Sequence, residues 1–161
     1  MNKLISTFFG VGLLKPAPGT WGSLAALPLF WMTYEIAGLI GVFLISAATF
    51  YFGLKATENY STQTQSHDAS EVVIDEVVGQ FIALLPVALG ATMMGVAIER
   101  LWPGWLAAFV LFRFFDIFKP GIIKRFDKGT TALTVMLDDV FAGIFAAIGV
   151  LILAGALHGI G

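Results

Sequence analysis

Three long runs of uncharged, mostly apolar residues constrain this chain more than any other feature. They cover residues 36–54, 77–98 and 140–157, with lengths of 19, 22 and 18 residues. A helix of that length extends about 27 to 33 Å, at about 1.5 Å per residue, which is enough to cross the hydrocarbon core of a bilayer. The sequence therefore predicts three transmembrane helices over these runs.

Two shorter apolar runs, residues 22–34 and 101–112, cross a bilayer only if flanking residues contribute. With them, the expected fold is a single all-α integral membrane domain over residues 1–161, a bundle of four to five transmembrane or half-spanning helices. Composition agrees, since 58% of the residues are hydrophobic and only 12% are charged, against about 45 to 50% and about 25% in soluble domains. The polar stretch at residues 57–70 is expected to be a loop outside the membrane.

Composition also excludes several function classes. The absence of cysteine excludes disulfides, thiolate zinc sites and cysteine nucleophiles. A net charge of -2 provides no basic field for nucleic acid.

The basic residues predict the orientation of the spans. If the N-terminus is cytoplasmic, five spans leave eight basic residues on the cytoplasmic side and only Arg100 on the other. The eight are Lys3, Lys15, Lys55, Arg113, Lys119, Lys124, Arg125 and Lys128. This positive-inside bias predicts five spans with a cytoplasmic N-terminus.

Three groups of acidic residues adjoin apolar runs at the same predicted membrane face. Asp75 and Glu76 precede the third span, Asp116 follows the fourth, and Asp138 and Asp139 precede the fifth. Carboxylate oxygens are the ligands that Mg²⁺ prefers, whereas zinc would need histidine or cysteine. The pattern indicates a magnesium site. The alternative is that acidic residues at helix starts only interact favourably with the helix dipole.

Arg113, Asp116 and Lys119 recur every three residues, so they share one face of a helix. Because the preceding apolar run is short, this face is expected near the headgroup level, where a lipid phosphate lies. In the alternative interpretation, Arg113 extends to the interface and pairs with Asp116.

Residues 9–23 concentrate glycine and proline immediately before an apolar helix. Thr20 is expected to cap that helix, whose first backbone N–H groups could bind an anion. The alternative is a re-entrant or interfacial turn, and no Walker motif follows.

Four segments, FGVGLLKPAPGTWGSL (9–24), DASEVVIDEVVGQFIAL (68–84), FRFFDIFKP (112–120) and VMLDDVFAG (135–143), resemble the phosphatidylglycerophosphatase A family of magnesium-dependent lipid phosphatases. The resemblance implies hydrolysis of phosphatidylglycerophosphate to phosphatidylglycerol and phosphate, at the cytoplasmic face of the bacterial inner membrane. It also implies functional residues, carried over by motif: Gly10, Gly12, Pro18, Gly19, Thr20, Ser23, Asp68, Asp75, Glu76, Arg113, Asp116, Lys119, Asp138 and Asp139.

Among these residues, we expect Asp75, Glu76, Asp138 and Asp139 to hold one or two Mg²⁺ ions. Arg113 and Lys119, with Gly19, Thr20 and Ser23, are expected to bind the substrate phosphate. Asp116 is either a further ligand or the base that orients water, and attack by a carboxylate to form a phosphoenzyme is the other possible route.

The chain departs from the family pattern after Lys119-Pro120, and a glycine-rich turn expected before Asp138 is replaced by residues 129–134. Two other classes remain as alternatives. One is a small ion-coupled transporter, in which carboxylates form a path through the bilayer. The other is a noncatalytic lipid-binding subunit.

Overall fold

A computed structural model describes residues 2–64, 71–121 and 131–159, and these residues form helices and turns without a strand. The helices are α1 (Asn2–Ser6), α2 (Pro18–Thr64), α3 (Ile74–Met94), α4 (Trp102–Phe118) and α5 (Ala132–Gly159). Two short 3₁₀ helices cover Val11–Leu13 and Ile98–Leu101. The described residues include four helical stretches long and apolar enough to cross a membrane, and the predicted all-α membrane fold is confirmed.

Helix α2 folds back on itself at Gly38, whose backbone angles (φ 61°, ψ −161°) are nearly exclusive to glycine. A Cβ on Gly22 would lie 2.8 Å from the Cβ of Val73, and one on Gly53 would lie 2.9 Å from Cγ1 of the adjacent Ile74. In a straight helix, Gly22 and Gly53 would be about 46 Å apart. The two arms, residues 18–37 and 39–64, therefore run side by side in opposite directions.

This hairpin brings the start of arm 1, the end of arm 2, the start of α3, the end of α4 and the start of α5 to one end of the bundle. We call it the carboxylate end, because Asp75, Glu76 and Asp139 lie there. At the opposite, tryptophan end, Nε1 of Trp31 donates a 2.6 Å hydrogen bond to Oε1 of Glu99. The five helical segments correspond to the five apolar runs of the sequence.

Helix α3 is the central element of the bundle, with Val77, Phe81 and Leu84 fully buried in its core. It approaches α5 very closely, since a Cβ on Gly143 would lie 2.4 Å from the carbonyl oxygen of Gly79. Most large apolar side chains on the periphery are exposed, as in Ile36 (81%) and Ile152 (65%). Such a continuous apolar surface is what a lipid-facing bundle requires.

The boundaries of α2 differ from the sequence expectation at both ends of the helix. Arm 1 begins at Pro18 instead of Gly22, and arm 2 continues to Thr64 through part of the predicted loop. The extension is stabilised because Tyr60 is buried and its hydroxyl donates a hydrogen bond to Glu71. The remainder of that loop, with Asp68, and the basic residues Lys124, Arg125 and Lys128 lie outside the described residues.

The hairpin makes a topology prediction that single-cysteine labelling can check, because the chain contains no cysteine. Lys15→Cys, just before α2, and Thr62→Cys, near its C-terminal end, should react with a membrane-impermeant maleimide from the same side. Arg100→Cys should react only from the opposite side. All three native residues are exposed. Labelling of positions 15 and 62 from opposite sides would contradict the hairpin.

Candidate active site

Three carboxylates from two helices meet at the carboxylate end. Ligand oxygens of Asp75, Glu76 and Asp139 all lie within 4.8 Å of one another, with Asp75 and Asp139 buried and Glu76 partly buried. Asp75 and Glu76 occupy the first turn of α3, where the Glu76 backbone N–H donates to Oδ1 of Asp75 at 3.1 Å. Asp139 comes from α5, which the glycine contact described above brings against α3. We call these three residues the carboxylate triad.

The triad has the donor set of a hard-cation site. Three carboxylates this close repel one another, and their burial is costly without a counter-charge. The Oε2 atom of Glu76 is buried and accepts no hydrogen bond within the described part of the chain. All three side chains are carboxylates, whose oxygens favour Mg²⁺, Ca²⁺ or Mn²⁺ over softer metals. The residues therefore fit a magnesium ion.

Two cationic side chains from the end of α4 lie at this end of the bundle, and Arg113 is the one beside the triad. Nη1 of Arg113 lies 2.6 Å from Oδ2 of Asp116, and Lys119 pairs with Asp138. The Arg113–Asp116 pair is the one offered above as an alternative to phosphate binding. However, only 16% of the Arg113 side chain is exposed, and its Nη1 also donates to Ser23 Oγ at 3.4 Å. Arg113 thus lies within the site instead of extending to the interface.

The other predicted carboxylates lie next to the triad. Asp116 interacts with Asp139 as well as with Arg113. Asp138 is buried and paired with Lys119, and it is outside the triad. The structure therefore brings Asp75, Glu76 and Asp139 together, while Asp138 belongs to a neighbouring ion pair.

Arm 1 contributes a glycine at the closest point of the site. A Cβ on Gly19 would lie 2.1 Å from Oε1 of Glu76 and 3.2 Å from Nη1 of Arg113. The Ser23 hydroxyl donates to the Gly19 carbonyl at 2.9 Å, which orients it toward Arg113. Only glycine allows the backbone of arm 1 to approach both charged groups this closely.

The expected capping role of Thr20 is wrong. The helix begins at Pro18, so Thr20 lies inside its first turn and not at the N-cap. Proline favours this boundary because it has no N–H and its φ is already helical. Thr20 is half-buried two residues into the helix. Of the other N-terminal glycines, Gly12 packs against the backbone of Glu71.

Sequence reasoning missed Gln80, one helical turn after Glu76. Its side chain is fully buried, and neither atom of its amide group has a hydrogen-bond partner among the described residues. The signal in the sequence is a single amide side chain within the apolar run 77–98, where no charged residue accompanies it.

A model of the family described as "PgpA: Phosphatidylglycerophosphatase A" matches residues 4–154. The chain belongs to the phosphatidylglycerophosphatase A family. A phosphatidylglycerophosphatase A of Haemophilus influenzae is 40% identical over 147 residues, which cover 90% of this chain and 83% of the relative. One of Escherichia coli is 29% identical over 160 residues, covering 94% of this chain and 82% of the relative.

A third relative, from Bacteroides thetaiotaomicron, carries a provisional name as a phosphatidylinositol-3-phosphatase. It is 34% identical over 148 residues, covering 90% of this chain and 88% of the relative. No solved structure matches the chain. The phosphatidylglycerophosphatase A match spans every helix that contributes to the site, so the chain is a membrane phosphatase whose family implies a lipid substrate.

The Gly19 contact makes a testable prediction. Gly19→Ala should lower kcat by about 100-fold, because the added methyl group displaces the Glu76 carboxylate or Arg113 from its position, and displacements of about 1 Å cost rates of this order. The measurement is phosphate release by purified protein in detergent. Gly155→Ala, whose added Cβ meets nothing within 4 Å, is the matched control and should retain wild-type activity. Equal activities of the two variants would show that the close approach is irrelevant to catalysis.

Proposed function

We propose that this protein hydrolyses phosphatidylglycerophosphate to phosphatidylglycerol and inorganic phosphate in a Mg²⁺-dependent reaction at the cytoplasmic face of the bacterial inner membrane. One observation carries the proposal: a triad of carboxylates within 4.8 Å of one another adjoins Arg113 at the end of a membrane bundle. A hard-cation site beside a cationic side chain, at headgroup depth, suits a phosphate on a lipid.

Arg113 and Lys119 bind the terminal phosphate in this proposal. Both side chains are partly buried and already oriented by carboxylates, Arg113 by Asp116 and Lys119 by Asp138. A guanidinium group has donors left after one carboxylate contact, since it carries five N–H groups. Asp138 thus holds Lys119 in position, and Ser23 does the same for Arg113.

The triad residues Asp75, Glu76 and Asp139 would hold the magnesium. When bound, Mg²⁺ neutralises charge on the phosphoryl oxygens and makes a water molecule more acidic. Asp116 is the carboxylate best suited to orient the attacking water and accept its proton, because it is close to Asp139 of the triad and pairs with Arg113. Water oxygen then bonds to phosphorus, the phosphorus–glycerol oxygen bond breaks, and a proton returns to the glycerol oxygen.

The positive-inside bias supports the cytoplasmic orientation. Four described basic residues, Lys3, Lys15, Lys55 and Lys119, lie toward the carboxylate end, together with Arg113. The acidic residues of the described segments are concentrated at that same end and do not form a path across the bundle. This distribution argues for a surface reaction and against the transporter interpretation.

The activity itself can be tested by phosphate release in detergent micelles. The purified protein should release phosphate from phosphatidylglycerophosphate, lose that activity in EDTA, and recover it on addition of Mg²⁺. Phosphatidylinositol 3-phosphate is the matched second substrate, because one relative is named for it. We expect a lower kcat/KM for that lipid. A higher value would reassign the headgroup, and full activity after exhaustive EDTA treatment would refute the metal site.

Neutralising single triad residues should separate ligands from bystanders. Asp75→Asn and Asp139→Asn should each lower kcat by roughly 100-fold or more, because the amide keeps the shape but not the charge that holds a divalent cation. Both variants should also show a smaller Mg²⁺-induced increase in Tm. Glu58→Gln, an exposed acid of arm 2, is the control and should change neither quantity. If both Asp variants behaved like Glu58→Gln, the triad would not bind the metal.

A further inference from the structure

Gln80 is the one side chain of the described residues with two buried polar atoms that lack a hydrogen-bond partner. It is 0% exposed, and both its amide oxygen and its amide nitrogen lack a hydrogen-bond partner within the described segments. Val77 and Leu84, three residues before it and four residues after it on α3, are buried core residues. An unpaired buried amide is unfavourable, and an apolar residue of the same size would avoid this cost.

Several hydroxyl side chains in the bundle avoid this cost by a hydrogen bond to the backbone of their own helix. Ser23, Thr33, Ser46 and Thr92 each donate to the carbonyl oxygen four residues earlier in their own helix. Gln80 has no such bond. A hydrogen bond to the backbone of its own helix, which satisfies these hydroxyl groups, therefore does not satisfy the Gln80 amide.

The position of Gln80 relates it to the triad. It follows Glu76 by four residues, so both lie on one face of α3. Side chains on a helix tilt toward its N-terminus, which directs the Gln80 amide back toward Glu76. Two other buried polar atoms of the site also lack partners among the described residues: Oε2 of Glu76, an acceptor, and Nε of Arg113, a donor.

The inference from these observations rests on the proposed function. We propose that Gln80 is a positioning residue for Glu76, and that one buried water molecule links its amide to Oε2 of that carboxylate. The water donates to Oε2 of Glu76 and to the Gln80 amide oxygen, and it accepts from the Gln80 amide nitrogen. Three hydrogen bonds are typical of buried water. Glu76 is thereby held with Oε1 beside Gly19 and its carboxylate directed at the metal, as outer-shell partners do in metal sites.

The test replaces Gln80 with methionine, which is similar in size and makes no comparable hydrogen bond. We expect Gln80→Met to raise the Mg²⁺ concentration for half-maximal activity by about 10-fold or more, the usual scale for losing an outer-shell partner. The Mg²⁺ concentration needed for the half-maximal increase in Tm should rise in parallel. KM for the lipid at saturating Mg²⁺ should stay at the wild-type value. The Tm in EDTA should be unchanged or higher.

Thr57→Val is the matched control, because the Thr57 hydroxyl is also buried without a partner in the described residues but belongs to arm 2, outside the triad. It should leave both Mg²⁺ dependences at wild-type values. If Gln80→Met fails to fold, Gln80→Asn retains the amide one methylene farther away and should shift both dependences in the same direction.

The two proposals fail in different ways. Wild-type Mg²⁺ dependences in a folded Gln80→Met or Gln80→Asn protein would overturn the role of Gln80 while leaving the metal proposal intact. A wild-type protein that responds to Mg²⁺ neither in activity nor in Tm would refute the metal site itself, and with it the positioning role.

Discussion

The close approach of α3 and α5 is the contact on which the rest of the site depends. Gly79 and Gly143 allow it, since a Cβ on Gly143 would lie 2.4 Å from the carbonyl oxygen of Gly79. Small residues at a helix interface permit such contacts in membranes, where apolar burial provides little drive for association. A Cβ on Gly79 would also lie 2.6 Å from the backbone of Asp139. The same contact that packs the helices therefore delivers Asp139 to Asp75 and Glu76.

The hairpin at Gly38 supplies the remaining wall of the site. A single glycine reverses the chain, so arm 1 can present Gly19 and Ser23 to the triad while arm 2 supports the start of α3 at Ile74. The five helical segments alternate in direction, so the starts of arm 1, α3 and α5 lie at the same end. Helix starts favour negative charge on ligands and side chains, because the helix dipole is positive there. The acidic triad and a phosphate-bearing headgroup both suit such an end.

The sequence predicted the helices well because bilayer thickness makes helix length nearly independent of tertiary detail. The long runs at 77–98 and 140–157 correspond to α3 and α5. The position at which arm 1 ends and arm 2 begins is fixed by the backbone conformation of Gly38, which the sequence does not show. The contacts of individual side chains were harder to predict from the sequence. Successive helix residues point about 100° apart, so Asp138 and Asp139 cannot face the same neighbour, and nothing in their adjacency indicates which one meets α3. Gln80 was missed because its significance is its lack of a partner, which only the packed bundle reveals.

The net charge of the side chains at the carboxylate end favours a cation and opposes a phosphate when no cation is bound. Asp75, Glu76, Asp116, Asp138 and Asp139 lie near two cationic side chains, Arg113 and Lys119, an excess of three negative charges when all are ionised. Charges separated from bulk water interact strongly, so a dianionic phosphate entering this end would be repelled. One divalent cation held by the triad would remove most of that excess and would leave Arg113 and Lys119 to attract the headgroup. On this balance of charge, the proposed reaction would need the metal bound before the lipid. The ion pairs with Asp116 and Asp138 would keep the side chains of Arg113 and Lys119 oriented until the phosphate arrives.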